Sequence, residues 1–428
     1  MCTVDCGATK GANRAMMTIM KRILAVIFFT VFIDLLGVGM IVPVLPQLLG
    51  NPDSPLYLLS KTGESVKLGL ILHGVLFSLY AMGQFIASPL LGQLSDRIGR
   101  RRVLASAMFV TAFAQAGFAY AIGALSLLLL FITRFIAGLA SGNIPVAQAV
   151  ITDAVADDKR SSSMGIIGAA FGLGLIIGPY IGGKLIVFGP STPFWVAAAL
   201  AFLNGIFLLI ALQETHVVTV KKSDLPPLGI SLRSAFVEVR KAFTHSSLRA
   251  VYIVYFLMQL GFAMFMSFAT VYFTNRFGFT AEALGVYFAF TGFCAVVAQV
   301  IVVRYVARRH TEQSVISPGL ALHALGLLGI AIVGHIPVLY FATFVLAVGY
   351  GLVHANTPAL LSLRVEKAER GVVLGYLGSV QALGLAIPPL IAGFMAASFS
   401  AQSVLITASL IVAFASYYFH HHITKAQA

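Results

Sequence analysis

Apolar runs of about 20 residues recur along the chain, each long enough for a helix to cross the roughly 30 Å hydrocarbon layer of a bilayer. They predict transmembrane helices at residues 22–45, 69–91, 103–121, 125–148, 163–187 and 194–213, then at 248–274, 281–304, 315–334, 337–360, 373–396 and 401–420. One long polar stretch divides six from six. It covers residues 214–247, holds Pro226 and Pro227, and contains a segment from Ser231 to Phe243 with the pattern of an amphipathic helix. The domain plan is therefore a tail at 1–21, a six-helix bundle at 22–213, a central loop at 214–247, a second bundle at 248–420 and a tail at 421–428. Residues 1 to 20 read as a short disordered tail; the apolar run after them is too long for a secretory signal, so the first helix stays uncleaved.

The chain also repeats itself. Residues 165–183, GIIGAAFGLGLIIGPYIGG, align without a gap with residues 375–393, GYLGSVQALGLAIPPLIAG: Gly165 with Gly375, Gly168 with Gly378, Gly174 with Gly384, Pro179 with Pro389, Gly183 with Gly393. Small residues at helical intervals let another helix approach closely, and the proline interrupts the backbone ladder. A duplicated helix of this kind points to two similar halves with a transport site between them.

Composition supports the membrane reading: 59% of residues are hydrophobic and 10% charged, and the mean hydropathy is +0.94. Charge adds orientation. The net +13 would suit nucleic acid, yet no folded basic domain exists to bind it. With the two termini on one side, that side collects 23 of the 28 Lys and Arg, against Lys61, Lys67, Lys184 and Arg276 on the other. This bias predicts cytoplasmic termini and a multi-pass protein of the cell membrane, the inner membrane in a bacterium, surrounded by lipid. Cys2 and Cys6 have no partner histidine and read as neither a metal site nor a lipid anchor. No metal or cofactor site is predicted. The one phosphate-loop likeness, Gly178 to Lys184, lacks the final Ser or Thr and starts inside a membrane helix, so an enzyme is not expected.

Acidic residues carry the sharpest signal. Fourteen of the fifteen Asp and Glu lie at or beyond span ends; only Asp34 lies within one, about 18 Å along the helix from Arg22. A charged carboxylate facing lipid there costs at least a few kcal/mol, so Asp34 should face a cavity or a partner, where it can take up and release a proton. Arg134 is the lone arginine well inside a span. It stays charged and needs compensation, for which Asp34 is the obvious candidate. Polar residues within spans give the candidate substrate contacts: Asn143, Gln148, Gln259, His354, Asn356 and Gln381, with His354 the second titrating candidate. Phe256, Phe262, Phe265 and Tyr272 of the seventh span are candidate apolar lining for an amphiphilic small molecule.

Four blocks in order resemble the major facilitator superfamily, in the drug:proton antiporter branch that includes tetracycline exporters. Asp34, Gly37, Gly39, Pro43 and Pro46 are similar to its first-helix motif; Gly92, Asp96, Arg97, Gly99, Arg101 and Arg102 to its loop signature. Arg134, Gly138 and Gly142 resemble the fourth-helix motif linked to proton coupling, and Gly165, Gly174, Gly178, Pro179, Gly182 and Gly183 the fifth-helix antiporter motif. The resemblance implies an all-α membrane fold of twelve transmembrane helices in two pseudo-symmetric six-helix bundles. It implies alternating access, with protons as the coupling ion, a small-molecule substrate and a monomer as working unit. The loop residues become a cytoplasmic latch with Asp153 as partner. The expected activity is export of amphiphilic drugs; a transporter of one metabolite, such as a siderophore or sugar, is the alternative. The loop after the eighth span, RYVARRHTEQ, lacks the glycine and the aspartate, and the second half holds no carboxylate within a span, which weakens tetracycline as the particular substrate.

Overall fold

A computed structural model describes residues 5–54, 57–61, 66–155, 157–215, 228–245, 248–366 and 369–424. The described residues form sixteen α-helices. In the first half these are α1 (Asp5–Ile41), α2 (Val66–Ile98), α3 (Arg100–Gly123), α4 (Leu127–Ala140), α5 (Ile144–Ala154), α6 (Asp157–Leu185) and α7 (Thr192–Ala211). Then come α8 (Leu228–Thr244), α9 (Arg249–Phe277), α10 (Ala281–Val297), α11 (Arg304–Ala307), α12 (Glu312–Ile332), α13 (Ile336–Leu363), α14 (Arg370–Ala386), α15 (Pro388–Ser398) and α16 (Ala401–Phe419). Joined across short breaks, they give twelve helices long and apolar enough to cross a membrane. An even number of crossings returns the chain to its starting side, called here the terminal face; the opposite side is the distal face.

Two breaks stand at prolines, which remove a donor and clash with the preceding turn, whereas Pro89, Pro179, Pro318 and Pro358 lie inside continuous helices. Pro145 stands two residues after the turn Ser141–Asn143 that separates α4 from α5, and Pro388 opens α15, the helix that follows α14. The amphipathic segment of the central loop is α8. At the N-terminus the structure departs from expectation: α1 begins at Asp5, so most of the stretch read as a disordered tail continues the first helix. Its alanines and methionines favour helix, and it has no proline to stop one.

Within the first half, α1 crosses α6 at glycines. A Cβ on Gly178 would stand 2.9 Å from the Gly39 Cα, and one on Gly174 would stand 2.7 Å from the Leu35 Cβ. The duplication predicted from sequence reappears as duplicated packing. Gly183 of α6 lies against Ala281 at the start of α10, while its counterpart Gly393 of α15 lies against Leu70 and Ile71 near the start of α2. Each half thus lends its glycine-rich helix to the other half. Gly165 lies outside the residues whose surroundings are described.

The halves meet directly toward the distal face. His73 of α2 bonds through Nε2 to the Ser267 carbonyl of α9 at 2.7 Å. Lys184 pairs with Glu282, and Gly50 faces Val271.

Candidate proton and substrate site

Asp34 of α1 and Arg134 of α4 are buried, with 3% and 2% of their surfaces exposed. No ion pair joins them among the described residues. Two hydroxyls stand between: Ser141, in the turn after α4, donates to Asp34 Oδ1 at 3.1 Å, and Tyr80 of α2 donates to the Ser141 Oγ at 2.5 Å. The Arg134 guanidinium carbon lies 4.2 Å from the centre of the Tyr80 ring, a cation–π contact. Its Nε has no hydrogen-bond partner among the described residues. The expected direct pair is therefore replaced by a line, Asp34–Ser141–Tyr80–Arg134. Glycines make this approach possible: Gly83 of α2 and Gly138 of α4 leave no room for a Cβ between the two helices, and Gln84 fixes the turn by donating to the Ser141 carbonyl at 3.3 Å.

Hydroxyls can both give and accept, so the line has two senses. An ionised Asp34 only accepts, which sets Ser141 as donor and Tyr80 as donor to Ser141. A protonated Asp34 has a hydrogen of its own to give. The proton on Asp34 can thus reorient the groups between it and Arg134.

The loop motif brings Asp96 and Asp153 together at Arg100, an arginine outside the motif positions. Arg100 gathers two acids: its Nη1 lies 2.6 Å from Asp96 and its Nε 3.3 Å from Asp153. Asp96 belongs to the last turns of α2, and Asp153 to the end of α5. Gly99 has φ +101°, a backbone that favours glycine, and turns the chain into α3. The first donors of α3 are then met by Glu214, whose carboxylate accepts from the Arg100 N–H at 2.7 Å and the Arg101 N–H at 3.3 Å. An acid at a helix N-terminus also opposes the helix dipole. The Arg101 guanidinium donates to the Leu209 carbonyl. With Arg102, Ile98, Gly99 and Glu214 it lines a hollow of about 450 Å³. Gly92 touches nothing within 4 Å of where its Cβ would stand.

Of the candidate substrate contacts, four converge in the second half. Tyr350 of α13 stacks on Phe262 at 4.3 Å and on His354 at 5.3 Å, and its hydroxyl donates to Gln259 Oε1 at 3.2 Å. Tyr255 stands 6.2 Å from His354 and donates to Gln381 at 3.2 Å. The other candidates stand apart. Asn356 donates to Leu352 of its own helix at 2.7 Å, Gln148 is exposed, and Asn143 is buried with an amide nitrogen that has no partner among the described residues. Phe265 and Tyr272 are buried, and the Tyr272 hydroxyl is committed to the Ala331 carbonyl, so neither lines an open surface.

A family model described as Major Facilitator Superfamily matches residues 27–311 and 251–424. The chain belongs to the major facilitator superfamily. Among superfamily relatives, the tetracycline resistance protein, class C, of Escherichia coli is 31% identical over 372 residues, covering 86% of this chain and 88% of the relative. Multidrug resistance protein 2 of Bacillus subtilis (strain 168) is 24% identical over 383 residues, covering 88% and 89%. The human organic anion transporter MFSD10 (TETRAN) matches in structure with TM-score 0.69 at 25% identity, covering 94% of this chain and 99% of its own. As a superfamily member the chain is a multi-pass membrane transporter rather than an enzyme.

Four residues escaped the sequence reading: Tyr80, Ser141, Arg100 and Glu214. A signal existed for Arg100, which follows a glycine and opens a helix, and for Glu214, which ends the last apolar run of the first half. Serine and tyrosine are ordinary in membrane helices, and nothing in their spacing marks Ser141 or Tyr80.

Proposed function

We propose that the chain is a proton-driven secondary transporter that exports small amphiphilic compounds by alternating access, with its terminal face toward the cytoplasm. The observation that carries this is the buried line from Asp34 through Ser141 and Tyr80 to Arg134. Proton binding at Asp34 changes which partner each hydroxyl serves. A ligand shifts a conformational equilibrium only through its different affinity for the two states, and this rearrangement supplies that difference. Arg134 keeps its charge and acts as the fixed counterpart that makes the protonation of Asp34 consequential. The Arg100 knot with Asp96 and Asp153 holds α2, α3 and α5 together as one moving body.

The rings of Phe262, Tyr350 and His354, edged by Gln381 and backed by the buried Gln259, offer flat apolar faces with an amide beside them. Such a surface suits amphiphilic compounds, in keeping with the resistance functions for which the relatives are named. One copy contains every residue invoked, and the working unit is read as a monomer.

The test uses inside-out vesicles with an acid interior, recording proton release as cationic and amphiphilic drugs are added. Release by several drugs, lost in Asp34→Asn, is the expected result. Release that persists in Asp34→Asn overturns the role of Asp34, and no release with any drug overturns drug:proton antiport.

A further inference from the structure

Helix α8 belongs to neither half yet packs on both. Val239, 8% exposed, shares a small apolar cluster with Phe85 and Ile86 of α2 and with Ala382 and Leu383 of α14. On the α2 side the Phe236 ring meets Phe85 edge-on, centroids 5.3 Å apart. On the other side the Ser379 hydroxyl of α14 donates to Glu238 Oε2 at 2.6 Å, and Phe243 meets Phe256 of α9 at 5.7 Å. Positions 236, 239 and 243 recur at helical spacing, so these apolar contacts come from one face of α8.

The place where α8 docks is where the halves part. Toward the distal face α2 touches α15 directly: a Cβ on Gly74 would stand 3.0 Å from the Gly393 Cα. Toward the terminal face α2 and α14, the helix that precedes α15 in the same span, present open glycines. Gly92 of α2 and Gly375 and Gly378 of α14 have no described atom within 4 Å of a Cβ position. Distally the spans are in backbone contact, whereas these terminal-side glycines are open, and α8 packs between Phe85 of α2 and Leu383 of α14.

We propose that α8 is a wedge that props α2 and α14 apart and has to leave the cleft before the terminal face can close. The proposal rests on the alternating-access reading above. Contacts made in only one of two states shift their balance by the free energy of those contacts. The apolar cluster and the hydroxyl–carboxylate bond form only while the terminal side is open, so they favour that state and slow its closing. The central loop is thereby a brake on the cycle rather than a passive link.

Labelling tests this in full-length protein in which Cys2, Cys6 and Cys294 are replaced by serine and Val271 by cysteine. Val271 is fully buried behind Gly50 at the distal face, so a membrane-impermeant maleimide reports opening of that face. Adding Glu238→Ala and Val239→Ser is expected to speed labelling about tenfold, the worth of one hydrogen bond to a carboxylate. Unchanged or slower labelling overturns the wedge. A second variant, Val239→Cys with Leu383→Cys, ties α8 into the cleft without weakening it. Oxidation is expected to cut drug transport about tenfold, with recovery on reduction; transport at the reduced rate with the link closed overturns the wedge. The labelling arm needs no substrate and no proton gradient, so its failure is distinguishable from failure of the export reading.

Discussion

Ser141 is the residue through which the two buried charges communicate, because it is the only side chain bonded to both Asp34 and Tyr80 among the described residues. Ser141→Ala leaves an ionised Asp34 without that donor, a loss worth about 1–3 kcal/mol for a buried charged acceptor. Drug-stimulated proton release is expected to fall about tenfold, and Ser141→Thr, which keeps the hydroxyl, to restore most of it. Tyr80→Phe keeps the ring under Arg134 and removes only the hydroxyl, so the same vesicle assay should show a smaller loss, about fivefold. Tyr80→Leu removes ring and hydroxyl together and should do worse than Tyr80→Phe. Equal loss in both would show that the cation–π contact contributes nothing. The charges themselves were legible in the sequence, since a lone acid and a lone arginine within apolar runs stand out by cost. Their separation was not. Depth along two helices says nothing of the rotation that inserts Tyr80 between them.

At the scale of elements, the glycines of α6 divide into packed and open. A Cβ on Gly178 would meet the Leu36 carbonyl oxygen at 2.7 Å and the Gly39 Cα at 2.9 Å, both backbone atoms that cannot swing aside, whereas Gly168 has no described atom within 4 Å. Gly178→Ala is expected to cost about 1–3 kcal/mol through forced separation of α1 and α6. Gly168→Ala should be neutral or stabilise by up to about 1 kcal/mol, since alanine loses less freedom in a helix. Thermal unfolding of the purified variants checks both, and a lower midpoint for Gly168→Ala than for Gly178→Ala would contradict the packing. Spans and the amphipathic α8 were readable because length and apolar period act locally; the breaks at 141–143 and 387 were not, since Pro179 sits inside an unbroken α6. The neighbour each glycine serves depends on chain packing, which period alone does not encode. The same limit hid Arg100: four arginines in one loop look alike until the φ of Gly99 and the start of α3 turn one of them inward.

Across the whole molecule, the direct closure of the halves lies on the distal face, and its bonds differ in strength. The His73 to Ser267 bond is fully buried, while Lys184 and Glu282 are half exposed and their attraction is screened by solvent. His73→Ala is therefore expected to speed labelling of Val271→Cys several-fold, about the effect of one lost buried hydrogen bond. Glu282→Gln should leave the rate within about twofold. A larger effect at Glu282 than at His73 would invert this ranking. Two similar halves were foreseen from the repeat of residues 165–183 at 375–393; the exchange of glycine-rich helices between them was not, because a repeat fixes likeness and leaves contact open.

The anchoring of α8 at its two ends has a last consequence. Four residues, 245–248, separate it from α9, whereas thirteen, 215–227, separate it from Glu214, which is held against the start of α3. Thirteen residues can reach up to about 45 Å. The short link to α9 therefore keeps α8 beside the second half and presents it to its cleft at an effective concentration of order millimolar. A free peptide of the same sequence, supplied at micromolar levels, could not compete with it. Lengthening that link would lower this concentration, and so retune how quickly each cycle restarts, without altering a single contact of α8 in the cleft.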